Sequence, residues 1–269
     1  MEVEESAALS VADSFVSVPG GRLFVRQWRP AGTGHSPLIL LHDSLGSVAQ
    51  WRDFPATLAT RLQRPVIAYD RLGFGQSSPQ TEPAKPGFID DEARFYLPTL
   101  IKALGLGHYL LFGHSVGGAM ALAAASRPSS GCLAVISEST QAFVEERTLD
   151  GIRVAKQGFE DEAQLVRLTR WHGERARWVL DAWTGVWLSP AFRHWSLAPR
   201  LADVHCPVLA IHGEKDEFGS AAFPRAIAGG VSGAAQMALL PDCGHVPHRE
   251  REAEVLDLVE TFLSRHRIG

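Results

Sequence analysis

The fold is decided by Leu110-Leu111-Phe112-Gly113-His114-Ser115-Val116-Gly117-Gly118-Ala119-Met120-Ala121-Leu122. The apolar run from Tyr109 to Phe112 is short enough for a buried strand, and the small-residue stretch through Ala125 reads as a helix. Between them Gly-x-Ser-x-Gly makes a sharp turn with Ser115 at its apex. Glycine at 113 and 117 removes Cβ atoms that would strike the neighbouring strand or helix in so tight a turn. The helix begins just past the serine, so free backbone N–H groups, that of Val116 among them, point in front of the hydroxyl. Such donors suit an oxyanion.

Working outward, the chain alternates short apolar runs with helical patterns. Ser14 to Val18 and Arg22 to Trp28 read as strands joined by Pro19-Gly20-Gly21, after a frayed leader over residues 1 to 12. Pro37 to Leu41, Val66 to Tyr69, Leu133 to Ile136, Val208 to Ile211 and Gln236 to Leu240 read as further strands. Asp53 is expected to cap a helix carrying Pro55 in its first turn. Another helix is expected from about Asp90 to Leu104, with Pro98 blurring its start. A final helix shows an apolar stripe of Val255, Leu258, Val259 and Phe262. This rhythm predicts an α/β fold with a mostly parallel central sheet and helices on both faces. Reactive groups then gather at the carboxyl ends of the strands.

One connection breaks the rhythm. Residues 138–205 far exceed the dozen or so that a parallel crossover needs, so they read as an inserted helical cap on a core of residues 1–137 and 206–269. Five of the seven tryptophans lie in it: Trp171, Trp178, Trp183, Trp187 and Trp195. Their rings either form the cap's own small core or line an apolar pocket over Ser115, and both readings can hold for different rings.

Composition narrows the function classes. A net charge of −4 leaves no electrostatic footprint for nucleic acid or an anionic membrane. The N-terminus is acidic where a secretory signal would be basic, and no apolar run approaches a membrane span, so the cytoplasm is the expected compartment. Cys132, Cys206 and Cys243 are odd in number and widely spaced, which argues for packing rather than a disulfide framework or a metal site. Monomer and homodimer are equally compatible with the sequence.

A serine hydroxyl needs a base to take its proton, and the base needs an acceptor to hold its tautomer. The last predicted strand runs into Asp242-Cys243-Gly244-His245, which makes His245 the candidate base. The preceding strand runs into Gly213-Glu214-Lys215-Asp216, which makes Asp216 the candidate acid, with Glu138 at another strand end as the alternative. His114 and His42 are expected to pack or hydrogen-bond, His248 to be exposed, and Asp70, Arg71 and Ser77 to lock a loop.

With Ser, Asp and His in that order, the chain resembles the α/β-hydrolase fold superfamily over nearly its full length. The markers are Leu41-His42 with Gly46, Asp70-Arg71-x-Gly73-x-Gly75-x-Ser77, the serine turn, Gly213-x-x-Asp216 and Gly244-His245. The resemblance implies a second oxyanion donor, the backbone N–H of Ser44, paired with that of Val116. Many relatives carry glycine where this chain has Asp43, so the backbone there must suit a residue with a Cβ. Haloalkane dehalogenases and epoxide hydrolases of this fold use aspartate in place of Ser115, which leaves acyl transfer to water, with no metal or organic cofactor required.

The expected substrate is a small to medium apolar carboxylic ester. Carbon–carbon hydrolysis of aromatic ring-fission products is an alternative, for which Arg153, Arg167, Arg170, Arg175 or Arg177 of the cap would hold a substrate carboxylate. Relatives with that activity commonly have tryptophan after the base, where this chain has Val246. Lactone hydrolysis uses the same chemistry. From another class, a ligand receptor resembling the plant karrikin and strigolactone receptors would keep the same three residues but turn over slowly or once.

Overall fold

The computed structural model describes residues 9–32, 34–128 and 130–269. Their strands form one sheet of eight in the order β1-β2-β4-β3-β5-β6-β7-β8. These are β1 (Ser10–Val18), β2 (Gly21–Arg29), β3 (Leu38–Leu41), β4 (Val66–Tyr69), β5 (Tyr109–His114), β6 (Cys132–Glu138), β7 (Val208–Gly213) and β8 (Ala235–Leu240). The β1–β2 and β2–β4 pairings are antiparallel and all others are parallel.

The parallel strands are apolar because both faces are covered. In β3, Ile39 and Leu41 join one buried cluster and Leu38 and Leu40 the other, as the two-residue period of a strand requires. The first cluster meets α4 (Val116–Ala125) through Met120 and Leu122. The second meets α1 (Phe54–Leu62) through Phe54 and Leu58, and the last helix (Glu252–Arg265) through Val255, Val259 and Phe262.

Several local expectations need correction. Residues 1–8 of the expected leader lie outside the described residues, but Ser10 to Ala12 belong to β1 and pair with Gln27 to Arg29. Asp53 stands at the N-cap of α1, yet its side chain accepts no capping hydrogen bond; it is the Asp53 carbonyl that receives the Thr57 N–H. The helix expected from Asp90 starts at Phe88. Its first turn, α2 (Phe88–Asp91), widens into a π-helical turn (Glu92–Tyr96) and resumes as α3 (Leu97–Ala103). Pro98 thus falls in the first turn of α3, where its missing N–H is tolerated.

Between β6 and β7 lie α5 (Glu146–Gly158), α6 (Glu162–His172), α7 (Ala176–Trp187) and the short α8 (Ala198–Leu201). No helix among the described residues is long and apolar enough to cross a membrane.

Candidate active site

The carboxyl ends of β5, β6 and β7 converge on one place. Ser115 follows β5 with φ 55° and ψ −125°, a sparsely populated conformation for a residue with a Cβ, and α4 begins at the next residue. The turn is held by the Ser115 N–H donating to the Glu138 carbonyl at 2.8 Å and by the Gly118 N–H donating to the Ser115 carbonyl at 2.9 Å. A Cβ on Gly113 would land on the backbone of Gly117, and one on Gly117 on the backbone of Leu41. The two glycines are therefore demanded by close approach.

Asp216 stands three residues past β7 and is fully buried. Both its carboxylate oxygens lie 2.9 Å from Nδ1 of His245, which donates to them, and it also accepts the Phe218 N–H at 2.7 Å. The two loops are stitched together by the Glu214 N–H on the Leu240 carbonyl and the Lys215 N–H on the Cys243 carbonyl. Behind the imidazole, Nε2 of His114 donates to the His245 carbonyl at 2.8 Å. The histidine inside the serine turn thus positions the backbone of His245. Burial alone would pull the His245 pKa down, but the charge and hydrogen bond of Asp216 outweigh it and raise the pKa above the usual histidine value. Burial pushes Asp216 upward, and the His245 charge and hydrogen bond more than reverse that.

Ser115 and His245 share a cavity of about 290 Å³ with Ser44, Gln141, Phe159, Trp183, Trp187 and Phe218 among its walls. The Ser115 hydroxyl pairs with the side-chain amide of Gln141, whose two polar atoms each lie 3.3 Å from Oγ. Among the described residues it forms no hydrogen bond with His245. Unliganded enzymes often show such bonds long or misaligned until substrate binds. Gln141 was not legible from the sequence, since it stands in an irregular stretch after β6 with no motif to mark it.

The His42–Gly46 loop reaches this cavity through Ser44. It is tethered by a shared acceptor, the Asp43 carbonyl, which takes hydrogen bonds from His42 Nδ1 at 2.8 Å and Arg71 Nη2 at 2.7 Å. His42 Nε2 accepts the Arg71 backbone N–H at 3.1 Å, which fixes the ring's tautomer. Asp43 has no positive φ, so its Cβ is accommodated without strain. Asp70 accepts the Val48 and Gln76 N–H groups at 2.6 Å each, and Ser77 Oγ bridges the Asp70 carbonyl and the Phe24 N–H.

Glu138 and His248 behave differently from expectation. Glu138 faces His248, not His245: its carboxyl lies 2.5 Å from His248 Nδ1, and both residues are buried, His248 at only 3% exposure. Trp51 and Phe54 pack on the His248 ring, with centroids 4.7 and 5.2 Å away. His248 is therefore an interior residue, because one helical turn after His245 returns the chain to the sheet end rather than to solvent. The ligand atoms of His114, Glu138 and His248 lie within 4.8 Å of one another, a donor set able to hold a metal. Hydrogen bonding within the protein uses part of it, Glu138 Oε2 with His248 and His114 with the His245 carbonyl, while Glu138 Oε1 has no partner among the described residues.

The tryptophans divide as the two readings allow. Trp183 and Trp187 line the Ser115 cavity, while Trp195 stacks with Phe192 at 5.3 Å away from it. Among the described residues none of Arg153, Arg167, Arg170, Arg175 and Arg177 lines that cavity. Arg153 pairs with Glu146 and Asp150, and Arg175 donates to the carbonyls of Gly75 and Ser77, tying the segment after β6 to the loop after β4.

Comparison with known proteins agrees with this geometry. A family model described as alpha/beta hydrolase fold matches residues 36–167. The chain is 28% identical to the human serine hydrolase BPHL over 94% of its own length and 87% of that protein. It is 32% identical to a bovine (lyso)-N-acylphosphatidylethanolamine lipase over 40% of this chain, a match that spans only 31% of the lipase. The solved enol-lactonase of Burkholderia xenovorans superposes with a TM-score of 0.72 at 20% identity, covering 93% of this chain and all of the other, 100%. With its eight-stranded sheet, its serine turn after β5 and these likenesses, the chain has the α/β-hydrolase fold.

Proposed function

We propose that the protein is a serine hydrolase of small to medium apolar carboxylic esters, with Ser115 as nucleophile, His245 as general base and Asp216 as its orienting acid. The observation that carries this reading is the single cavity onto which Ser115 and the Asp216-held imidazole of His245 both open. On substrate binding the hydroxyl leaves the Gln141 amide for His245 Nε2, which takes its proton as Oγ attacks the ester carbonyl. The oxyanion is held by the N–H groups of Val116 and Ser44. Collapse expels the alcohol, which takes the proton from His245. Water activated by the same imidazole then releases the acid and frees Ser115.

The size and walls of the cavity favour an apolar group: about 290 Å³ lined by Phe159, Trp183, Trp187 and Phe218 suits a short acyl or alkyl chain. The segment between β6 and β7 supplies three of those rings, Trp183 and Trp187 from α7 and Phe159 just past α5, so residues 138–205 act as the cap that shapes specificity. The serine hydrolase BPHL, similar over most of this chain, agrees with the reaction class.

The test is turnover of p-nitrophenyl acetate, butyrate and octanoate, with Ser115→Ala and His245→Ala measured alongside. Multiple turnover that disappears in both variants is expected, with the preferred chain length reporting the cavity size. Activity that persists without Ser115 would overturn the reading.

A further inference from the structure

A second cavity, also of about 290 Å³, meets the first at Ser44, Trp183 and Trp187, which line both. Its character is different. Its walls include the buried Arg71 and Glu92 and the partly buried Tyr96, together with the exposed Glu82 and Lys85. Arg71 is 5% exposed; its Nη2 is spent on the Asp43 carbonyl and its Cζ lies 4.1 Å from the Phe74 centroid, while neither Nη1 nor the fully enclosed Nε has a hydrogen-bond partner among the described residues. Glu92 is 4% exposed and accepts the Tyr69 hydroxyl at 2.7 Å. It forms no ion pair with Arg71 within 4 Å among the described residues. The π-helical turn of Glu92–Tyr96 places Glu92 and Tyr96, though not Arg94, on the cavity wall, and such widened turns recur at functional sites.

From this arrangement we propose that the second cavity is a carboxylate subsite, so that the substrate is an ester bearing a carboxylate several carbons from the scissile carbonyl, held by Arg71. This rests on the ester reading of Ser115 and narrows it. A buried guanidinium with an unused N–H is costly to leave unpaired, and a planar carboxylate is the partner its fork accepts best. Glu92 does not oppose this. Burial pushes it up to about 7 although the Arg71 charge pulls it down, so near neutrality much of it is protonated and can donate to a bound anion. The groups facing it are Tyr69 from β4, Arg71 from the following loop, and Asp91 and Tyr96 from its own helix. Because Arg71 also tethers the Asp43 carbonyl, recognition must be read as a ratio between matched substrates, which cancels any loss common to both.

The experiment compares mono-4-nitrophenyl adipate with 4-nitrophenyl hexanoate. In the wild type, kcat/KM for the carboxylated ester is expected to exceed that for the neutral one by about tenfold or more, and Arg71→Met should bring the ratio close to one. Binding is read separately on Ser115→Ala, where the nitrophenyl group quenches the fluorescence of Trp178, Trp183 and Trp187. The same preference should appear there and vanish when Arg71→Met is added. At pH 8, Glu92→Gln should tighten binding of the adipate ester and leave the hexanoate ester unmoved, since it removes an ionised carboxylate from beside the anion. Equal affinities for the two esters, or a preference that survives loss of Arg71, would overturn the subsite. An Arg71-dependent binding preference in a protein that hydrolyses neither ester would instead overturn the reading of Ser115 and keep the subsite.

Discussion

Two carboxylate–imidazole pairs stand side by side at the carboxyl end of the sheet, built from the same two functional groups and differing in what surrounds them. Asp216 and His245 open onto the Ser115 cavity; Glu138 and His248 are sealed beneath Trp51 and Phe54. In the first pair, mutual attraction overcomes burial, so the imidazole is raised and the carboxylate lowered. In the second, burial dominates: Glu138 is pushed up to about 7 and His248 is pushed down, so both neutral forms are favoured. Chemistry at a strand end depends on solvation as much as on residue type. On the proposed reading the first pair accepts and returns a proton, whereas the second joins the end of β6 to the last loop.

The sharpest way to break this comparison is to remove each histidine. His245→Ala should lower kcat by roughly 10⁶-fold, whereas His248→Ala should lower it by no more than a few-fold, provided assays run below its melting temperature. Comparable losses would erase the distinction. The acids follow at smaller scale: Asp216→Asn should cost about 10⁴-fold by leaving His245 in the wrong tautomer, and Glu138→Gln should change ester turnover little. On stability the order reverses. His248→Ala removes the partner of a buried carboxyl and should cost about 1–3 kcal/mol in urea denaturation.

The smallest effects are those of pH. General-base catalysis needs neutral His245, and its raised pKa places the acid limb of kcat/KM above pH 6.5; Glu138→Gln should leave that limb where it is. For stability the sign is opposite to the usual carboxylate. The folded state holds the Glu138 proton up to about pH 7 while the unfolded chain releases it near 4.5, so wild type loses stability relative to Glu138→Gln as pH rises between those values. Melting curves of the two proteins at pH 4.5, 6 and 7.5 would show the gap closing or reversing. A gap that stays constant would mean that Glu138 is ionised throughout.

The strands and the placement of Ser115, Asp216 and His245 were legible because glycines and apolar runs of fixed period have few structural solutions. Gly113 and Gly117 are required by backbone contacts, and β3 to β7 are apolar because both faces are buried. What escaped was set by tertiary neighbours. His248 reads as one more polar residue near a helix start, and only the position of Glu138 at the end of β6 makes its burial tolerable. Gln141 follows a residue of positive φ, Ser139, whose turn aims it at Ser115 in a way no local pattern announces. Arg71 belongs to a recognisable loop motif, yet its unpaired nitrogens and its place on a cavity wall are tertiary properties that no local pattern announces. The arginines of the segment between β6 and β7 have the right charge for a substrate carboxylate, but among the described residues Arg153, Arg167, Arg170, Arg175 and Arg177 do not line the Ser115 cavity.

The most direct test of the account is covalent labelling by an alkyl fluorophosphonate, read by intact mass and peptide mapping. One adduct on Ser115 is predicted, formed rapidly in wild type and in Glu138→Gln, slowly in His245→Ala and not at all in Ser115→Ala. An adduct on another residue, or labelling of Ser115 that depends on Glu138 and not on His245, would contradict it.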